Sequence, residues 1–160
     1  MKPNIDNSFV HYKQALALKE LGFDEHCIGL FRDGNLRYPV TTNDFEGIRN
    51  SNRFPLDDIT APLKNQVFLF FREKYNVFGY IHSAPCLIEG KSAYSFSIDT
   101  INELASSSHP NHFSCSYILE HHEHPHNKYH CSTYVTYEKA EAACIDKLIE
   151  LVKHAKWKIV

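Results

Sequence analysis

What this chain lacks narrows its chemistry before any motif is sought. Its five cysteines, Cys27, Cys86, Cys115, Cys131 and Cys144, are odd in number, widely spread and without a CxxC pair, which suits reduced thiols better than a disulfide frame. No run of about 18 apolar residues occurs, and no charged-then-apolar leader follows Met1, so neither membrane insertion nor export is expected and the cytoplasm is the default compartment. The formal net charge of -2 gives no broad positive field to draw phosphate backbones, so a nucleic-acid partner is not expected. P-loop, GxGxxG, GxSxG and HExxH strings are all missing, which removes the usual nucleotide-binding and hydrolase signatures.

What is present reads as a globular protein. A hydrophobic content of 43% with 22% charged and 13% aromatic residues argues against disorder. The 160 residues fit a single domain able to bury roughly 70% of its unfolded surface.

The clearest element is the segment 136–156. Thr136 can accept a bond from the free amides of a first helical turn, and Ala140, Ala143, Cys144, Leu148, Leu151, Val152 and Ala155 recur at the spacing that lines one helical face. Glu138 and Glu141 open it, while Lys153, His154, Lys156 and Lys158 gather at its end, as the helix dipole favours.

Earlier in the chain, Ala15, Leu16, Leu18 and Leu21 predict a first amphipathic helix over 8–21, stopped by Gly22. CIGLFR and NLRYPV flank Asp33-Gly34, a pair suited to a tight hairpin. Residues 41–58 have no sustained period and read as a long connection, with a short helical turn around 44–49 and room for a site. Thr60 as cap and Pro62 in the first turn predict a second helix that buries Leu63, Val67, Phe70, Phe71 and Tyr75 and ends near Asn76. VFGYIHS and AYSFSI predict a second hairpin around Glu89-Gly90-Lys91, so helix followed by hairpin occurs twice. FSCSYIL and CSTYV predict two further strands.

The expected fold is therefore α+β: a single domain over 1–160, with an antiparallel sheet built from hairpins, about three helices packed on it, and the order α-ββ-α-ββ-ββ-α.

Three phrases in fixed order, ALALKELGFDEHCIGLF, APLKNQVFLFFREKYNVFGYI and TYEKAEAACIDKLIELVK, resemble an uncharacterised family of small bacteriophage and prophage proteins of gut anaerobes. Residues 100–134 depart from the family pattern and read as a histidine-rich insertion. The resemblance implies a phage accessory or host-interaction protein in the bacterial host cell. It supplies no catalytic residues.

Candidate chemistry from the residues themselves is sparse. Five of the eleven histidines fall within ten residues: His121, His122, His124, His126 and His130. On extended backbone His122, His124 and His126 share one face, where neutral imidazoles could hold zinc or another divalent metal. The competing reading is a polar hairpin tip broken by Pro125, and no cofactor is required by the sequence. A softer version is pH sensing, because clustered imidazoles repel once charged. His112-Phe113-Ser114 and His130-Cys131-Ser132 have the H-x-[ST] form of two-histidine phosphoesterases, in which histidine serves as acid and base. They lie close together, whereas that family draws its triplets from separate lobes. Cys115 or Cys131 beside His112 or His130 could make a nucleophile pair, although no oxyanion site is visible. Arg32, Arg37 and Tyr38 on the first hairpin, with Arg53 and Arg49 beyond it, could form an anion-binding face for a nucleotide-like ligand, against the plain reading of solvated arginines.

The sequence thus favours a non-enzymatic binding protein that engages a host protein, or itself, through a sheet edge or the 41–58 loop. A nucleotide-like ligand-sequestering protein and a metal-dependent or two-histidine enzyme are the alternatives.

Overall fold

A computed structural model describes residues 5–38, 47–51, 58–88, 91–100 and 133–154. After a single 3-10 turn at Ile5–Ser8 the elements follow in the order α1 (Tyr12–Glu20), β1 (Gly29–Arg32), β2 (Asn35–Arg37), β3 (Ile59–Ala61), α2 (Lys64–Tyr75), β4 (Val77–Ile88), β5 (Lys91–Thr100) and α3 (Tyr137–His154). The expected α+β class is the one adopted. The antiparallel pairing is divided between a three-stranded sheet ordered β2-β1-β3 and a two-stranded sheet of β4 and β5. The residues fall into two compact units, one within Met1–Phe70 and Ile149–Lys158 and the other within Phe71–Leu148.

In the first unit, α1 buries Gln14, Ala15 and Leu18, while Leu16, predicted to join that stripe, is 37% exposed. A face of only three positions suffices on a nine-residue helix, and Leu16 lies about 100° from Ala15 around the axis. The helix ends as its glycine predicts. Gly22 has φ +79°, its N–H donates to the Lys19 carbonyl, and the Phe23 N–H donates to the Leu18 carbonyl, which is the paired closure of a Schellman motif. Phe23 is thereby drawn into the core at 1% exposure.

Asp33-Gly34 forms the predicted two-residue hairpin turn. Both residues have positive φ, 52° and 72°, and Arg32 pairs with Asn35 across the turn, as a type I′ connection requires. The third strand, β3, runs antiparallel to β1 with Gly29 opposite Ala61 and Phe31 opposite Ile59. Here the expected helix start is corrected: Thr60 is a strand residue, Pro62 follows the strand, and α2 begins at Lys64. Ile59 and Thr60 are β-branched and buried, and the Thr60 N–H donates to Asn50 Oδ1 at 3.1 Å. A strand environment therefore takes the amide that a cap would have left free.

Both helices in this unit start by one device. Gln14 Oε1 accepts the His11 N–H and Gln66 Oε1 accepts the Leu63 N–H, each at 3.0 Å, which is the reciprocal half of a capping box. The two helix starts lie side by side, since Phe9 bridges Leu63 and the Val10 N–H donates to the Pro62 carbonyl. The predicted 41–58 connection is described only at 47–51 and 58. Ile48 and Cys27 exchange both backbone bonds there. Asn50 Nδ2 donates to the Phe23 carbonyl, and the Ser51 N–H donates to Asp24 Oδ1.

In the second unit, α2 runs on to Asn76, whose φ of +58° stops the helix where the sequence placed its end. Phe71, Tyr75 and Val77 are buried. β4 and β5 pair from Val77–Thr100 through Ile88–Lys91, with a register shift between Ala84 and Leu87. Pro85 lies inside that shift; it has no N–H to give to a ladder, and a bulge is where a strand tolerates it. Beyond β5, Tyr94 and Tyr134 exchange backbone bonds of 2.9 and 2.7 Å, so the end of the predicted CSTYV strand pairs at one position. The remainder of that strand, FSCSYIL and the rest of the 100–134 segment lie outside the described residues.

α3 starts as expected: Thr136 Oγ1 accepts the Lys139 N–H. Ala140, Cys144, Leu148 and Val152 are buried, and Ile145 and Ile149 broaden the stripe. Lys153 in its last turn meets Glu20 at 2.6 Å.

Candidate functional site

Alternation along an antiparallel pair assigns each residue of β4 and β5 to a face. Val77, Gly79 and Ile81 share the inner side with Ile98, Phe96 and Tyr94. Val77 and Ile98 are fully buried there, Phe96 stacks on Tyr134 with centroids 6.1 Å apart, and Tyr94 meets Tyr137 edge to face at 5.9 Å. The outer side then carries Phe78, Tyr80 and His82 on β4, opposite Asp99, Ser97 and Ser95 on β5.

This outer face is the most distinctive surface among the described residues. The Phe78 and Tyr80 rings are 6.5 Å apart and only 9° from parallel. Tyr80 and His82 follow at 6.4 Å and 23°. The spacing is that of alternate residues on a strand, about 6.6–6.8 Å, so the strand itself sets the row. Tyr80, in the middle, is 44% exposed. His82 Nε2 and Ser97 Oγ share a 2.6 Å hydrogen bond across the ladder, and Ser97 is 9% exposed. A part-buried cross-strand bond thus fixes the imidazole at the end of the ring row. The part of this face open to solvent is Tyr80 and His82 on β4, while Ala93 and Ser97 on the same side of β5 are buried.

The arginine face predicted from sequence is only partly assembled. Arg32 and Arg37 lie on one side of the β1–β2 ladder, opposite Asn35 and Leu30 respectively. Arg32, however, is held by Asp58: its Nη2 donates to Oδ2 at 2.7 Å and its Nε reaches both carboxylate oxygens at 3.2 Å. Asp58 follows the β1–β3 register as the residue opposite Arg32, and its side chain is 3% exposed. The hydrogen bonds from Arg32 hold the Asp58 carboxyl below the usual carboxylate range, and the same pairing raises Arg32. Tyr38 turns to the other side, stacked on Phe9 at 5.1 Å, with its hydroxyl donating to the Asp6 carboxylate; that bond raises the phenol above its ordinary value. Arg53 lies outside the described residues, as do His122, His124 and His126, both HxS triplets, Cys115 and Cys131. Among the described residues no three His, Cys, Asp or Glu side chains gather as a metal site, and no helix is long and apolar enough to cross a membrane.

Two thiols are described, and both belong to the core. Cys27 and Cys144 are free and buried. Burial pushes each thiol up to about 12, so neither supplies a thiolate nucleophile near neutral pH.

The ring row escaped the sequence reading because β4 is apolar or aromatic on both sides. VFGYIHS has no hydrophobic-polar alternation to say which face is outward; the signal was on β5, where Ser95, Ser97 and Asp99 alternate with Tyr94, Phe96 and Ile98. No protein-family model, no curated protein and no solved structure matches this chain.

Proposed function

We propose that the protein is a non-enzymatic accessory binding protein, of the bacteriophage type that the three-phrase resemblance implies, acting in the bacterial host cell by binding a host protein through the outer face of the β4–β5 hairpin. The observation that carries this reading is the row of near-parallel rings Phe78, Tyr80 and His82, with Tyr80 44% exposed at its centre. Aromatic side chains bring large contact area at small entropic cost and dominate interface energetics, and a row set by strand geometry is already in its binding arrangement. The arginine side of β1–β2 is less suited to hold an anionic ligand, because the Arg32 guanidinium is engaged by Asp58.

The test is capture from host lysate on three immobilised forms: the wild type, a Phe78→Ala/Tyr80→Ala variant and an Arg32→Ala/Arg37→Ala variant. The proposal expects a near-stoichiometric partner on the first and third and its loss on the second. Retention on the ring variant with loss on the arginine variant would move the site to β1–β2 and sink this reading.

A further inference from the structure

We infer that the outer edge of β4 is an interface between two copies of this chain, which pair antiparallel about a twofold axis at Ile81 and join their hairpins into one four-stranded sheet.

The ladder determines which backbone groups face outward. In an antiparallel strand the N–H and C=O of one residue point to the same side, and successive residues alternate. Tyr94 uses both groups on Tyr134, so Ser83, which lies opposite Tyr94, turns both of its own away from β5. By the same alternation Ile81 and Gly79, opposite Phe96 and Ile98, turn theirs to the outer edge, while Tyr80 and His82 turn theirs to β5. Among the described residues no strand pairs with that edge. Ser83 is exposed, and Gly79 and Ile81 are half-buried, so these groups are within reach of a partner.

An open edge is ordinarily blunted by shortness, charge or proline. The three-stranded sheet follows that rule: β2 is three residues long and carries Arg37, and on β3 the Thr60 N–H is taken by Asn50. The β4 edge has no such guard. Val77–Ser83 contains no Lys, Arg, Asp, Glu or Pro, and Pro85 lies in the register shift beyond it. Gly79, inside the strand, leaves room for a second backbone to come close.

The same stretch selects the register. Buried Val77 ends the accessible edge on one side and Pro85 on the other, and the outward-facing residues between them are centred on Ile81. Setting Ile81 against Ile81 of the second copy places each Gly79 opposite a Ser83, which closes about six backbone hydrogen bonds, two per facing pair. Ile81 meets its counterpart on the inner side, and Tyr80 lies beside His82 of the second copy on the outer side, a cross-strand aromatic pair. A second copy is the occupant because the edge complements itself: an apolar residue at the dyad, glycine opposite a small serine, ring opposite ring, and no like charges facing. The contact is isologous and occupies the edge of both copies, so it closes as a dimer. At about five residues per copy it belongs with the small, transient interfaces, and a Kd on the order of 100 µM is expected.

The experiment combines sedimentation velocity with amide hydrogen exchange by NMR, on the full chain at about 20 µM and about 1 mM. The chain should be mainly monomeric at the lower concentration and mainly dimeric at the higher. The amides of Gly79, Ile81 and Ser83 should exchange several-fold more slowly at the higher concentration, while those of Tyr80 and His82 stay protected at both. Ser83→Pro removes an outward donor without touching the ladder to β5, and should abolish the concentration dependence with an unfolding midpoint close to that of the wild type. Ile81→Lys sets two charges at the dyad and should do the same. A chain that stays monomeric to about 1 mM would overturn the inference, as would a dimer that survives both variants or leaves the three amides unprotected. Protection of those amides in the dilute monomer would mean that the chain covers this edge itself, and protection that appears there only with a captured host partner would make that partner the occupant; either result overturns the inference. None of these outcomes alters capture by the ring face, which stands or falls with the Phe78→Ala/Tyr80→Ala variant.

Discussion

At the scale of single residues, exposure separates side chains that hold the fold from those available to a partner. Leu148 is fully buried on α3, and Leu148→Ala should cost about 2–5 kcal/mol through lost transfer energy and the cavity left behind. Tyr80 is 44% exposed, and Tyr80→Ala should stay within about 0.5 kcal/mol of the wild type. Urea unfolding of both variants checks the contrast. The two core thiols make a prediction in pH. Each is raised from 9.0 to about 12 by burial, so above pH 9 the unfolded chain loses those protons while the native chain keeps them. Stability is therefore unaffected below pH 9 and falls as pH rises from 9 toward 12, by up to about 1.4 kcal/mol per pH unit for each thiol. A combined Cys27→Ser/Cys144→Ala variant, stable enough to unfold reversibly, should show a shallower alkaline decline. An unchanged slope would mean that other groups dominate there.

At the scale of elements, two of the three described positive-φ glycines, Gly34 and Gly47, make a matched pair. Gly34 at the hairpin turn has φ +72° and open space around an added Cβ, whereas Gly47 has the same φ but a Cβ would meet the Cys27 carbonyl oxygen at 2.8 Å. Gly34→Ala should therefore cost about 1 kcal/mol for the left-handed backbone alone, and Gly47→Ala clearly more, because it also forces apart the Cys27–Ile48 backbone pair. The helix starts offer a second comparison: Gln14→Ala and Gln66→Ala should each cost on the order of 1 kcal/mol by leaving the amide that precedes the helix unpaired. Gln66→Ala also removes the Nε2 donation to the His26 carbonyl at 2.7 Å, so its effect should extend beyond the helix start. Thermal unfolding of the four variants reads all of these.

Elements whose signals are local were legible in the sequence. Asp33-Gly34, Gly22, Asn76 and Thr136 each act within a few residues of themselves and stand where their chemistry predicts, and the α3 stripe does so at Ala140, Cys144, Leu148 and Val152, with Ala143 and Leu151 half-buried and Ala155 outside the described residues. β3 was not legible, because Ile59–Ala61 is three residues long, too short to show a period, and exists by pairing with a strand about thirty positions earlier. The Arg32–Asp58 pair is hidden for the same reason: its partners are 26 positions apart, and the register that brings them together depends on β3. The outer aromatic face was in view letter by letter, yet its exposure follows from which side of the hairpin Ile98 and Val77 bury.

At the scale of the whole molecule, the described residues divide their work. The three-stranded sheet and the helices that start beside it are tied together by backbone and side-chain bonds, and Arg32 serves that framework through Asp58. The β4–β5 hairpin buries Val77 and Ile98 on one side and carries an ordered ring row on the β4 strand of the other. That division is the reason to place binding on the hairpin. It is open to direct measurement by hydroxyl-radical footprinting of the free protein and of the protein bound to its captured partner, with quantification at Tyr80 and at the buried Phe71. Tyr80 should be modified readily in the free protein and protected in the complex, while Phe71 stays unreactive in both. A Tyr80 signal that is equally strong with the partner bound would contradict the account.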